Sequence, residues 1–319
     1  MSCPVYTKFN NVDSLGNKLV LEQIEDNLKT FLDWGLLNIG GFVNVNIPTT
    51  GIAANAVHQL KQSNDPGFAN GKVWQTSRKD WVWETGVDYN NYSPNIISGI
   101  YINNIFSPAP TGSGSYGYYI DYPNGRVVFN NAFSNANMSM SYSYRWCQIH
   151  KSSSSPWWVE LQGDLTSPNP QFAQKDKGNF NIPAKHRIQM PCIVIEPTSR
   201  SELIPWQLGA TNFMVNQDFL LHIFTERAHD KNKLVDIIRL QKEKTIILYD
   251  STKLISSGAY GINANGSKNI DGKIYPDIVS DSNFVWKKCF FKDMAVMDME
   301  TANNTLFWCT IRLTTETLL

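Results

Sequence analysis

An α+β chain in two domains is predicted. Residues 1–160 form a β-rich sandwich or barrel with one N-terminal helix, and residues 161–319 form a two-layer α+β domain with a mainly antiparallel sheet. Three observations predict it. The 319 residues suffice for two hydrophobic cores. The apolar period is helical near the N-terminus, becomes two along the next hundred residues, and alternates between the two kinds beyond a Ser- and Pro-rich stretch. Charged residues make up only 18 %, against 42 % hydrophobic and 12 % aromatic, which suits strands and turns better than long solvated helices.

The elements follow in order. Leu21, Ile24, Leu28, Phe31 and Leu32 recur every three or four residues and define an apolar helix stripe, with Glu22, Glu25, Asp26 and Lys29 on the solvated side and Gly35 as the stop. Gly40 to Pro48 alternates as a strand ended by proline. Between Val73 and Ile149 the β-branched and aromatic runs Trp81-Val82-Trp83, Gly99–Ile102, Tyr118–Tyr122, Arg126–Phe129 and Met138–Trp146 read as strands. Asn124-Gly125 between two of them is the strongest hairpin signal, because both residues tolerate the positive φ of a tight turn. Ser152–Pro156 and the stretch from Gly163 to Gly178 form the surface connection between domains. Cys192–Glu196 and Phe219–Thr225 are strands, Asp230 caps a helix running to Glu243, and Thr245–Tyr249 is the next strand. Gly258–Asp277 is a turn-rich loop, and strands follow at Cys289–Val296 and Leu306–Thr315.

Charge excludes some functions. Lys and Arg number 28 and Asp and Glu 28, without one-sign blocks, so sequence-specific nucleic acid is not an expected partner. No run approaches 18 apolar residues and the first residues have no leader pattern, so neither a membrane span nor export is predicted. Cys3, Cys147, Cys192, Cys289 and Cys309 are odd in number and lack Cys-x-x-Cys spacing, which predicts free thiols rather than disulfides or a zinc site.

Catalytic patterns are equally sparse. Gly112-Ser113-Gly114-Ser115-Tyr116-Gly117 spells G-x-G-x-x-G, but a strand follows where a nucleotide site needs a helix N-terminus, so it reads as a loop tip. His58, His150, His186, His222 and His229 show no metal-ligand spacing, and no G-x-S-x-G elbow nominates a serine nucleophile. Glu84 with Asp88, or Asp121 with Asp164, would make a glycosidase pair only if folding joined them. Trp74, Trp81, Trp83, Trp146, Trp157 and Trp158 serve either as core or as platforms for sugars or protein partners. No catalytic residue, cofactor or metal site is predicted.

Two stretches resemble virion proteins of tailed bacteriophages. Ile120–Phe129, with Asn131-Ala132 and the strand Met138 to Tyr144, resembles a β-unit of phage tail and tail-fitting proteins: Asp, a glycine turn, Val-x-Phe, then a Tyr-rich strand. Ile182-Pro183, Met190 to Ile195, Phe219 to Thr225, Lys233 to Tyr249 and Leu306 to Glu316 are similar in order to tail-terminator and neck proteins. The resemblance implies a non-enzymatic virion subunit, made in the host cytoplasm. It further implies a homo-oligomeric ring, expected as a hexamer, that contacts neck, portal or tail proteins and neither membrane nor specific nucleic acid. The alternative reading is a carbohydrate- or receptor-binding module, and a further one a glycan hydrolase. Polar loop tips carry the expected contacts: Gly112, Gly114 and Tyr116 in one, Asn124 and Gly125 in a second, Tyr260 and Asn265 in a third.

Overall fold

The computed structural model describes residues 14–48, 57–63, 65, 67–108, 116–134, 136–155, 158, 188–205, 213–303 and 306–319. The chain is mainly β, with a helix near its N-terminus and few others. Helix α1 (Val20–Asn38) leads into β1 (Phe42–Val45), β2 (Gln59–Gln62), β3 (Val73–Gln75), β4 (Gly99–Ile102), β5 (Ile105–Pro108), β6 (Tyr118–Asp121), β7 (Arg126–Phe129), β8 (Met138–Ser139), β9 (Tyr142–Arg145) and β10 (Gln148–Lys151). Then follow β11 (Cys192–Pro205), β12 (Phe213–Thr225), α2 (Ala228–Arg239), β13 (Thr245–Tyr249), α3 (Ser251–Ser256), α4 (Tyr275–Ser280), β14 (Val285–Asn303) and β15 (Leu306–Leu318).

A curled antiparallel sheet of seven strands, ordered β5-β4-β8-β2-β3-β7-β6, closes over Trp81, Tyr118, Phe129, Met138, Met140 and Tyr142, and the pair β1-β9 lies beside it. The predicted turn joins β6 to β7, with Gly125 at φ 62°. Trp81-Val82-Trp83 is not a strand. Trp81 makes one bridge, to Tyr144, and is fully buried, so its aromatic run reflects packing rather than sheet pairing.

The second sheet is mixed, ordered β10-β11-β12-β15-β14-β13, with β10-β11 its parallel pair. Side chains alternate across it. Ile193, Ile195, Phe219, Leu221, Ile223, Ile311 and Leu313 face α1 and α2, while Cys192, Val194, Phe224 and Leu306 join Trp158 in a separate cluster. Strands β11, β12 and β14 run well past their apolar cores. Pro197 does not end β11: it stays in register with Phe219 of β12 just before a bulge between Pro197 and Ser201, beyond the last residue paired with β10.

Helix α1 packs on this second sheet, far along the chain. Ile24, Leu28 and Leu36 enter the same core as Ile193, Leu234 and Ile246. Asn27 locks the register by a reciprocal pair: its amide donates to the Tyr249 carbonyl at 2.9 Å, and the Tyr249 N–H donates to its Oδ1 at 2.8 Å. Five expectations are corrected here. Leu21 is exposed, and Glu25 is buried because Ser153, just beyond β10, covers that flank. The helix passes through Gly35 to Asn38, and Gly40 just beyond it, at φ 84°, lets the N–H groups of Gly40 and Gly41 bond back to Leu37 and Leu36. Asp230 lies in the first turn of α2 without capping it, and α2 ends at Arg239 rather than Glu243.

Candidate functional site

The predicted contact tips occupy different settings. Gly112 and Gly114 lie outside the described residues. Tyr116 is exposed, with its ring stacked on Phe133 at 5.7 Å. Asn124 spends its amide on the Asp121 carboxylate at 2.9 and 3.1 Å, and Gly125 is buried, so close to the 78–79 segment that a Cβ would lie 2.4 Å from the Arg78 carbonyl. Asn265 accepts from the Ser267 N–H at 3.1 Å and hydroxyl at 2.7 Å, closing a turn within its own loop. That loop, 258–272, seats on the other half of the molecule: Gly261 packs against the Trp83 ring, and the Gly266 carbonyl accepts the Tyr122 N–H at 3.0 Å. Tyr260, on the same loop, lines a cleft.

Most predicted chemistry serves the fold. Asp121 is buried in an ion pair with Arg126 at 2.6 Å, Asp88 is exposed, and Asp164 and Trp157 lie outside the described residues. Trp74, Trp81 and Trp158 are core, while Trp83 and Trp146 are partly buried. Cys147, Cys192, Cys289 and Cys309 are buried and form no disulfide, and burial pushes Cys192 up to about 12 and Cys289 to about 11, so these two stay protonated. His222 sits between Glu196, 2.8 Å from Nε2, and the Thr310 hydroxyl, 3.1 Å from Nδ1, beneath the Trp158 ring at 4.5 Å. Burial lowers its pKa against the pull of Glu196, which favours a neutral ring donating from Nε2 and accepting the Thr310 proton at Nδ1. Among the described residues no group of three or more His, Cys, Asp and Glu side chains can hold a metal ion, and no helix is long and apolar enough to cross a membrane.

Two features stand out from this background. The first is a pair of sheet edges that no described residue pairs with. Strand β10 pairs with β11 only as far as Ile195, and residues 199–205 are exposed on both faces of the sheet, Leu203 to 61 %. Strand β13 pairs with β14 at Val285–Phe290, so the outer edge of β14 beyond Phe291 is also unpaired among the described residues. The register places the β11 overhang beside Gln217–Phe213 and the β14 overhang beside Thr314–Leu306, at opposite corners of the sheet.

The second is a charged cleft of about 200 Å³ where α1, the end of β9, segment 80–84 and the loop 258–275 meet. Arg145 is at its floor, only 6 % exposed. Its guanidinium pairs with Glu84, with Asp80 at 3.2 Å and, through Nε, with Asp33 at 3.9 Å. Burial pushes the Asp33 carboxyl up to about 7 against the opposing pull of Arg145, with Asp80 and Glu84 adding to the rise. Burial likewise raises Glu84, and it pushes the Tyr260 hydroxyl to about 12. Lys29 and Lys273 stand at the walls with Trp83 and Tyr260. Sequence reasoning had singled out Glu84 and Tyr260 but not Asp33, Asp80 or Arg145. Their separation along the chain leaves no motif, and the one available signal was an arginine at the end of a strand whose neighbours pack inward.

No protein-family model and no curated protein matches the chain.

Proposed function

We propose that the protein is a structural subunit of a tailed-phage virion, assembling as a ring of identical copies, six in the expected arrangement, at the head–tail neck or tail. In this reading the seven-stranded sheet with β1-β9 is the sandwich- or barrel-type domain of residues 1–160. The six-stranded sheet is the two-layer α+β domain of 161–319, completed by α1 and β10. The protein acts by contact, without turnover, in the virion and against neighbouring neck, portal or tail proteins.

The observation that carries the proposal is the pair of overhanging edges. A strand bare on both faces, with Leu203 and Ile204 exposed near its tip, is an aggregation hazard in a free monomer and a joining element in an assembly. The two overhangs run in opposite directions, β11 with β15 and β14 against it. A second copy placed beside the first, displaced along the strands, therefore brings β11 next to β14 in the antiparallel sense. Such a heterologous contact repeats from copy to copy, and a rotation of one sixth of a turn at each contact closes it into the ring of six.

The test is mass spectrometry of purified particles together with imaging of the Leu203→Asp variant. The protein should be present in particles at a fixed copy number, and the variant should fold yet fail to assemble. Absence from purified virions would end the proposal.

A further inference from the structure

We propose that the Arg145 cleft is a binding site for a single neutral sugar ring, a function beyond the assembly role. Two polar atoms point to a ligand. Arg145 Nε and Asp33 Oδ1 are buried and have no hydrogen-bond partner, and they lie 3.9 Å apart. That distance is too long for a hydrogen bond between them. A small outward shift of the two side chains admits a hydroxyl that accepts from Nε and donates to Oδ1, satisfying both at once.

Charge decides between ligand classes. Arg145, Lys29 and Lys273 face Asp80, Glu84 and Asp33, the last ionised only above about pH 7, so groups of both signs line the cavity. An anion that took the Arg145 Nε would meet the Asp80 and Glu84 carboxylates, and a cation drawn to those carboxylates would meet three basic groups. A neutral polyhydroxyl compound meets neither penalty and uses both kinds of group. Trp83 and Tyr260 supply flat apolar walls for the C–H face of a pyranose. The volume, about 200 Å³, is below the roughly 300–1,000 Å³ of drug-sized ligand sites and suits one ring rather than a chain. The mouth is open, since the side chains of Asp80 and Lys273 retain 26 % and 36 % of their surface.

Saturation-transfer NMR on the full chain tests this with glucose, galactose, mannose and N-acetylglucosamine, and with inorganic phosphate and putrescine as charged probes. At least one sugar should give a saturable signal, and Asp33→Ala should weaken it about tenfold or more, the effect of losing a hydrogen bond to a charged group. Tyr260→Ala, at a partly exposed position that leaves the core intact, should also weaken it, and circular dichroism checks that both variants fold. A cleft that holds only water gives no saturable signal with any of the four sugars, and that result overturns the proposal. So does sugar binding unaffected by either substitution, or binding of phosphate or putrescine in preference to every sugar.

Discussion

Replacing Asp33 by asparagine should stabilise the protein above neutral pH and leave it nearly unchanged in acid. Three carboxylates share the Arg145 guanidinium, and Asp33 is the most distant of them at 3.9 Å, against 3.2 Å for Asp80 and direct pairing for Glu84. Burial pushes the Asp33 carboxyl from 3.8 to about 7, so between those values the folded protein holds a proton that the unfolded chain has lost. Stability must then fall as pH rises through this window, and the loss is complete above about pH 7. A rise of about three units has a ceiling of about 4 kcal/mol. One fifth of the Asp33 side-chain surface still meets solvent, and screening there brings the figure to roughly 1–2 kcal/mol. Asparagine keeps the shape and an amide oxygen facing Arg145 Nε while removing the charge. Differential scanning calorimetry should therefore show a higher melting temperature for Asp33→Asn at about pH 8, by roughly 1.5–3 °C, and coincident curves near pH 4. An equal shift at both pH values, or a less stable variant at pH 8, would refute the account of Asp33 as a carboxyl held neutral by burial.

Three further outcomes follow from the packing. Gly125→Ala should lower stability by about 1–3 kcal/mol in urea titration, because the position combines φ 62° with a Cβ 2.4 Å from the Arg78 carbonyl. Arg145→Met should cost roughly 3–5 kcal/mol, since it leaves buried carboxylates without their cation, and the cost should shrink in acid as they protonate. Gly261→Ala would put a Cβ 2.0 Å from the Trp83 ring, so limited proteolysis should cut faster within 258–274 while the six-stranded core stays protected. Unchanged cleavage there would mean that the loop does not depend on this seat.

Local physics made part of the fold readable in advance. The apolar stripe of α1, the Asn124-Gly125 turn between β6 and β7, and the short strands Thr245–Tyr249 and Gly99–Ile102 each carry their own period or turn chemistry, and each forms where it was predicted. Errors arose where an element answers to a distant partner. Glu25 reads as solvated until Ser153 covers it, and Trp81-Val82-Trp83 reads as a strand until the core claims its first ring. Strand β11 reads as five residues until β12 pairs with it to Pro205.

The sequence by itself determined the β-rich character, the helix at the start and the balance of charge, because these depend on composition and on neighbours within a few residues. Only the tertiary structure decided that α1 belongs to the sheet two hundred residues away, through the pairing of Asn27 with Tyr249. It also decided that Asp33, Asp80, Glu84, Arg145 and Tyr260 share one cleft. The physical reason is common to both: burial places polar groups where each must find a partner, and the partner is chosen by packing rather than by position in the chain.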